Sequence, residues 1–276
     1  MPPITLSEHI MEAIRSVTDK PVTHVVYSHW HADHIGVTPV YGENVEIIAH
    51  EKTKELLTRF PDENRPLPTI TFDKEYKLSV GGLDIELRYY GQSHSEGLIF
   101  SYLPKEKVLM AVDIASPGWV TFRDADASEN FNGYVEAFDK ILDYDFDIVI
   151  SGHVSTYGNR EDVEEGKEYM KDLEKYAKIA LETVDMEYFT KQLEGTPYKV
   201  AFRFAEENYF QAATNYGTKL MLEAPTSNGK LWAERLNGVE AFTAHNMFAM
   251  IEHTRLEKPH GGYMTQKGKP FPKWYA

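Results

Sequence analysis

The sequence predicts an α+β fold, with strands and interspersed helices in the first half and a helical extension in the second. Two observations predict it. Up to about residue 158, short β-rich apolar runs are separated by turns that contain Gly, Pro and Asp. From Asn159 onward, apolar residues recur at helical spacing among charged residues. We therefore expect the 276 residues to form two domains, 1–158 and 159–276.

The first third of the chain alternates between helix and strand. Thr5 and Glu8 have capping-box spacing and predict a helix at about 5–18, which Pro21 stops. The β-rich, apolar run at 22–28 predicts a buried strand that ends at the next residue. The other elements predicted here are a strand at 45–49, a helix at 51–60 and a Pro-rich loop at 61–68.

Strands dominate the middle of the chain. Gly81 and Gly82 predict a two-residue hairpin turn between strands at 75–80 and 83–90. A second strand pair is predicted at 98–103 and 107–113. The elements predicted after it are a loop at 114–128, a helix at 130–142, a strand at 147–150, a loop at 151–158, helices within 160–192, 198–223 and 230–256, and an irregular tail at 257–276.

Composition and charge exclude several functional classes. Lysine and arginine number 29 against 43 aspartates and glutamates, so the net charge is −14 and binding to nucleic acid or an anionic membrane is not expected. The sequence has no cysteine, which excludes disulfides, thiolate metal sites and thiol nucleophiles. No apolar run reaches the roughly 18 residues of a membrane span, and the N-terminal residues lack a signal-peptide pattern. We expect a soluble, cytoplasmic protein.

A dense run of metal-binding residue types directly follows the first predicted strand. The run HWHADH at 29–34 has the form H-x-H-x-D-H. Because alternate residues of an extended segment point the same way, His29 and His31 can reach one ion together. A turn after them would direct Asp33 and His34 toward a second ion. Imidazole and carboxylate are ligands of borderline divalent metals such as zinc.

Three more candidates follow apolar strands farther along the chain. His94 lies in the segment GQSHSEG at 91–97, Asp113 ends the strand KVLMAVD, and His153 follows the strand DIVI. Residues at the carboxyl ends of strands can meet at one rim of a sheet. The sequence therefore predicts that all seven groups lie at a single metal centre.

These pieces resemble the metallo-β-lactamase superfamily over about residues 1–158. The matching parts are HWHADH, the H-x-x-G at 94–97, Asp113 after its strand, and Gly152 before His153. The resemblance implies an αββα sandwich with the metals at the sheet edges. It also implies two metal sites, the first with ligands His29, His31 and His94, the second with Asp33, His34 and His153, and Asp113 bridging both. These ligands include histidine and no cysteine, and in this respect the sequence resembles the glyoxalase II, lactonase and related dinuclear branches of the superfamily.

The implied chemistry is hydrolysis by a metal-bridging hydroxide. Two divalent ions, Zn²⁺ in the first instance with Fe or Mn as alternatives, would share a water and lower its pKa. The expected substrate is a small molecule with an activated acyl bond, such as a lactone, ester, thioester or β-lactam. Asp33 and Asp113 are the candidate catalytic residues, with Asp33 favoured for passing a proton to the leaving group. A metal-binding or sensory module without turnover, and a non-heme iron redox enzyme, are the alternatives.

Two departures from the family pattern stand out. Family members usually carry several strands before the first helix, whereas this sequence starts almost at that helix, with residues 1–3 similar to the end of a missing strand. We therefore expect an N-terminally shortened sandwich. A Gly-Gly pair often follows the metal motif in the family, and here that place holds Ile35-Gly36-Val37.

Other features bear on the substrate and on partners. Trp30, Trp119, Phe122 and Tyr157 lie in or near the predicted metal loops, where they would either line an apolar pocket or anchor those loops. The helical extension would cover the site as a lid, form a homodimer, or do both.

Overall fold

The computed structural model describes residues 3–153, 155 and 157–257. The helices are α1 Pro3–Val17, α2 Ala32–Ile35, α3 Glu51–Arg59, α4 Arg123–Ala127, α5 Phe131–Leu142, α6 Arg160–Thr183, α7 Met186–Lys191, α8 Tyr198–Glu223 and α9 Val239–Glu257, with 3₁₀ turns at Thr38–Tyr41 and Trp232–Glu234. The strands are β1 His24–Val26, β2 Glu46–His50, β3 Ile70–Phe72, β4 Glu75–Val80, β5 Leu83–Tyr89, β6 Ile99–Leu103, β7 Val108–Met110, β8 Ile148–Ile150 and β9 Tyr157–Gly158.

The strands form two sheets. A small parallel sheet has the order β1-β2-β3, and a larger mixed sheet has the order β4-β5-β6-β7-β8-β9. In the larger sheet, only β7 and β8 pair in parallel. Because β5, β7 and β8 consequently run in the same direction, their carboxyl ends lie at one edge of that sheet. A backbone hydrogen bond of 2.9 Å from Ile99 N to Ser28 O joins this edge to the end of β1.

The two sheets pack face to face and helices cover both outer faces. Strand β2 shows the alternation directly, since Ile48 packs between the sheets against Leu87 and Ile99 of the larger sheet. Its neighbours Ile47 and Ala49 point the other way, toward Leu57 of α3. The order helix, sheet, sheet, helix confirms the predicted αββα sandwich.

The outer face of the larger sheet shares one apolar core with the helical extension. This core runs from Phe100 and Leu109 in the sheet, through Phe138 of α5, to Tyr169 of α6 and Met247 of α9. Helix α6 begins with a capping box, in which Asn159 and Asp162 each accept a hydrogen bond from the other's backbone N–H. The division into domains 1–158 and 159–276 stays a prediction.

Most predicted elements are present, with several differences. Strand β1 is shorter than the predicted strand at 22–28 and is half-buried. Strand β9 and helix α4 form where loop was predicted, β3 forms at a position to which no element was assigned, and α2 forms inside the metal motif. Pro3 belongs to α1, whereas residues 1 and 2 and the predicted tail from 258 onward lie outside the described residues. Among the helices that the structure describes, none has both the length and the apolar character that a membrane crossing requires.

Candidate metal centre

The two sheets bring the seven predicted residues together at the edge where β5, β7 and β8 end. His29 and His31 follow β1, and the chain then turns into α2, which carries Asp33 and His34. His31 is the extended residue before this helix, with φ −65° and ψ 142°, so the predicted turn begins directly after it. The other three residues follow strands of the larger sheet, His94 after β5, Asp113 after β7 and His153 after β8.

The candidate ligand atoms form two groups, each with its atoms within 4.8 Å of one another. We call them the buried group and the open group. The buried group consists of His29, His31, His94 and Asp113, and the open group consists of Asp33, His34 and His153. In the buried group, Nε2 of His94 lies 3.1 Å from Nδ1 of His31. In the open group, Oδ2 of Asp33 lies 3.3 Å from Nε2 of His153.

The Asp113 carboxylate contacts imidazoles of both groups. Its Oδ2 lies 3.5 Å from Nε2 of His29 and 3.4 Å from Nε2 of His94 in the buried group. The same oxygen is 2.8 Å from Nε2 of His34, and Oδ1 is 3.5 Å from Nε2 of His153, in the open group. Asp113 also has a φ of 61°, a backbone conformation that is unfavourable for residues other than glycine and that concentrates at functional sites.

Burial keeps part of the cluster in the protonation state that binds metal. Desolvation, with repulsion from the other imidazoles, holds the pKa of His29 well below its usual range. Desolvation also lowers the pKa of His94 to about 4. Desolvation opposes the charged form of His34 as well, but the nearby Asp113 carboxylate outweighs it and raises the pKa of His34. Neutral imidazole is the form that ligates metal, so His29 and His94 need no deprotonation at pH 7.

Unpaired buried atoms show that the cluster fits a cation. Among the described residues, Nε2 of His29 and Oδ1 of Asp113 are buried without a hydrogen-bond partner. Each such atom costs about 1–3 kcal/mol when it is left unsatisfied. A divalent ion between these nitrogen and oxygen atoms would satisfy them. The donor set is able to hold metal.

Gly152 leaves the space that the cluster needs. A Cβ atom at this position would overlap Oδ1 of Asp113 and would lie 3.0 Å from Cε1 of His34. Any larger residue would push one of these side chains away from its present position. The glycine therefore preserves the contact between Asp113 and the open group.

One acidic residue near the cluster was not predicted. Asp126 lies in α4, and its carboxyl interacts electrostatically with Asp113, His153, His34 and Asp33. Burial, with repulsion from Asp113, raises the pKa of Asp126 to about 7. In sequence it is one acid among several in a loop, so spacing gave no signal for it.

The four aromatic residues near the metal loops have different surroundings. Trp30 stacks on Phe60 with ring centroids 5.7 Å apart, and Trp119 pairs with Asn237 through the backbone. Phe122 and Tyr157 are exposed. That these residues line a substrate pocket stays a prediction.

Comparison with known proteins agrees with this geometry. The family model of the metallo-β-lactamase superfamily matches residues 4–153, more than half of the chain. A curated relative, the 2,4-dinitroanisole O-demethylase subunit alpha of Nocardioides sp. (strain JS1661), is 28% identical over 144 residues. That match spans 51% of this chain and 43% of the relative, so the chain covers less than half of the relative's length.

Two solved structures share the fold. A metallo-β-lactamase from Pontibacter korlensis has a TM-score of 0.50 and 22% identity, over 57% of this chain and 73% of its own. A double mutant of a sec-alkyl sulfatase has a TM-score of 0.58 and 15% identity, over 96% of this chain and 46% of its own. The second likeness extends through the helical region. With the αββα sandwich and the family match over residues 4–153, the chain belongs to the metallo-β-lactamase superfamily.

Proposed function

We propose that the chain is a metal-dependent hydrolase that holds two divalent ions, Zn²⁺ in the first instance, and cleaves an activated acyl bond of a small molecule. The position of Asp113 carries this proposal, because one carboxylate contacts imidazoles of both the buried and the open group. Such an arrangement suits a pair of cations that share a bridging ligand. The proposed substrates are lactones, esters, thioesters and β-lactams.

The seven residues have separate roles in this proposal. His29, His31 and His94 would hold one ion, Asp33, His34 and His153 would hold the other, and Asp113 would contribute its carboxylate to both. When bound, a pair of ions supplies a Lewis acid for the carbonyl oxygen and lowers the pKa of water toward about 7.

Asp33 is the better candidate for moving a proton to the leaving group. Its side chain is 58% exposed, whereas that of Asp113 is 1% exposed. A substrate that enters from solvent therefore reaches Asp33 before Asp113. The buried carboxylate of Asp113 would instead balance the positive charge of the ions.

The test combines metal analysis with a substrate panel. Protein purified with zinc present should contain about two ions per chain, and it should hydrolyse at least one of a homoserine lactone, a thioester, an aryl ester and a β-lactam. Asp33→Asn should keep most of the metal and lose turnover. Asp84→Asn is the matched control, since Asp84 is an exposed carboxylate that pairs with Lys105 away from the cluster.

Three results would contradict the proposal in different ways. Two bound ions without turnover of any substrate would favour a metal-binding or sensory module. Iron with a reversible redox signal would favour the redox alternative. Metal content near zero would contradict the proposal that this cluster is a metal centre.

A dinitrophenyl methyl ether belongs in the substrate panel, because the curated relative is named as an O-demethylase subunit.

Self-association through the C-terminal helices stays a prediction. Exposed apolar side chains occur on α7 and α8 at Tyr188, Tyr198, Val200 and Phe204. Light scattering of the purified protein, before and after Phe204→Glu, tests whether this face joins two copies. The proposed roles as a lid and as a dimer interface are separable, because the charge substitution should leave turnover intact if α8 only dimerises.

A further inference from the structure

The segment 92–96 carries the candidate ligand His94 between strands β5 and β6, and we call it the His94 loop. Nε2 of His94 lies 3.1 Å from Nδ1 of His31 in the buried group. Because β5 ends at Tyr89 and β6 begins at Ile99, the His94 loop lies outside the hydrogen-bond ladder of the sheet. Its backbone groups must therefore find partners in other segments, and those partners decide where His94 is held.

Glu129, just before helix α5, contacts the His94 loop at three points. Its backbone N–H donates to the carbonyl oxygen of His94 at 2.9 Å. Its Oε2 accepts a 2.7 Å hydrogen bond from the backbone N–H of Glu96. The same oxygen accepts a 3.2 Å hydrogen bond from Nε2 of Gln92. One residue therefore binds the loop before His94, at His94 and after it.

The start of α5 holds Glu129 in place for these contacts. Asn130 N donates to the carbonyl oxygen of Ser93 at 3.0 Å. The Asn130 side chain also caps α5, because its Oδ1 accepts a 3.0 Å hydrogen bond from Gly133 N. A Cβ atom at Gly133 would overlap the carbonyl oxygen of Gln92, so the helix lies directly against the loop. Glu129 therefore reaches the His94 loop from a backbone that is itself fixed to that loop.

We propose that Glu129 is a positioning residue of the metal centre: its carboxylate closes the His94 loop and thereby fixes the direction in which the His94 imidazole points. This inference rests on the proposed metal centre. Among the described residues, Glu129 belongs to neither group of candidate ligand atoms, so it acts through His94. The bond from Glu96 N is made by the side chain and can be removed while the backbone bond to His94 stays. Partners that orient metal ligands from outside the ligand set typically change metal affinity by about 10–100-fold.

The test separates the hydrogen bond of Glu129 from its charge, because its carboxylate also interacts electrostatically with His31. Glu129→Gln removes the charge and keeps an oxygen that can accept from Glu96 N. Glu129→Asp keeps the charge and shortens the side chain by one methylene, and Glu129→Ala removes both. Glu234→Ala is the matched control, because Glu234 is also exposed and its Oε2 also accepts a 2.7 Å hydrogen bond, from Leu231 N in the helical region.

Three measurements read the outcome. Zn²⁺ dissociation constants come from competition with a chromophoric chelator, and the absorption spectrum of the Co²⁺-substituted protein reports the ligand geometry. Deuterium uptake by a peptide that covers 92–96, in chelator-treated protein, reports the loop without metal. Glu129→Ala and Glu129→Asp should weaken one of the two Zn²⁺ ions by about 10–100-fold, change the Co²⁺ spectrum and speed uptake in the loop. Glu129→Gln and Glu234→Ala should stay close to wild type in all three measurements.

Several results would overturn the proposal. Wild-type zinc affinity in Glu129→Ala or Glu129→Asp, or a loss in Glu129→Gln as large as that in Glu129→Ala, would show that this hydrogen bond does not hold the ligand. An equal loss in Glu234→Ala would assign the effect to general stability. If Glu129→Ala does not fold, Glu129→Asp takes its place in the comparison. If the wild-type protein binds no Zn²⁺, the proposed function fails and this inference fails with it, whereas wild-type binding of two ions with unchanged Glu129 variants removes only the role of Glu129.

Discussion

Gly152→Ala is the substitution with the clearest structural consequence for the metal centre. The added Cβ would overlap Oδ1 of Asp113 and would lie 2.6 Å from Cγ1 of Val112 and 3.0 Å from Cε1 of His34. Ordinary van der Waals contact of a Cβ begins at 3.4 Å. The shortfall is 3.4 Å minus 2.6 Å for Val112 and 3.4 Å minus 3.0 Å for His34, so these groups must separate by about 0.4–0.8 Å.

Such a displacement falls on atoms that the proposed chemistry needs. A misplacement of about 1 Å costs on the order of 10²-fold in rate when catalytic groups are held in fixed geometry. We expect Gly152→Ala to weaken the binding of at least one Zn²⁺ and to lower kcat/KM by about 10–100-fold. The backbone at Gly152 is not in the left-handed region, so the effect is steric and does not come from a lost conformation.

The assay measures zinc affinity by chelator competition and turnover on the best substrate of the panel. Gly166→Ala is the control, since its Cβ would also lie 3.0 Å from a side chain, that of Phe138, but inside α6 and away from the cluster. Native zinc affinity together with native turnover in Gly152→Ala would refute the idea that this glycine preserves the cluster. Equal losses in both variants would point to a general effect on stability.

Three other predictions follow from the same contacts. His94→Ala should lose about one bound ion and turnover together, and unchanged zinc content would remove His94 from the ligand set. His94 should make the metal-free protein lose stability as pH falls from 6.5 toward 4, because the pKa of His94 is about 4 in the folded protein and 6.5 otherwise, so the unfolded state takes up the proton first. This contribution amounts to about 3 kcal/mol, and the raised pKa values of His34 and Asp126 act against it whereas the lowered pKa of His29 adds to it. The contribution of His94 is therefore measured as the difference between wild-type protein and His94→Ala in how far the urea midpoint changes from pH 7 to pH 5 with chelator present. Tyr134→Phe should lower the free energy of unfolding by about 1–2 kcal/mol, since the buried hydroxyl donates to the carbonyl oxygen of Ile114 at 2.9 Å, and an unchanged urea midpoint would argue against that bond.

The sequence predicted the fold where short-range chemistry decides the structure. The Gly81-Gly82 turn places both of its strands, and the capping residue Asn159 starts α6 at Arg160. Strand β3 was missed because Ile70–Phe72 is only three residues long, and it forms by pairing with β2, a long-range partner that composition does not reveal. Strand β9 has two residues and depends on β8 in the same way.

In the candidate site, too, the residues with a local sequence signal were predicted and those that depend on long-range contacts were not. All seven predicted residues are histidine or aspartate that follow a strand or lie inside one compact motif, which is a strong local signal. Asp126 and Glu129 gave no such signal, because acids in a loop are ordinary in sequence. The hydrogen bond between Glu129 and Glu96 forms only after folding, since it joins residues 33 positions apart in the chain.

The helices that follow Asn159 are in direct contact with the part of the fold that carries the candidate metal centre. The core beneath the larger sheet is continuous with Tyr169 and Met247, and the helix that carries Met247 also carries Asn246, whose Oδ1 accepts a hydrogen bond from Ala125 N in the loop after β7. The cluster therefore has two kinds of support. The sheets supply the candidate ligands, and α9 holds the loop that runs beside them.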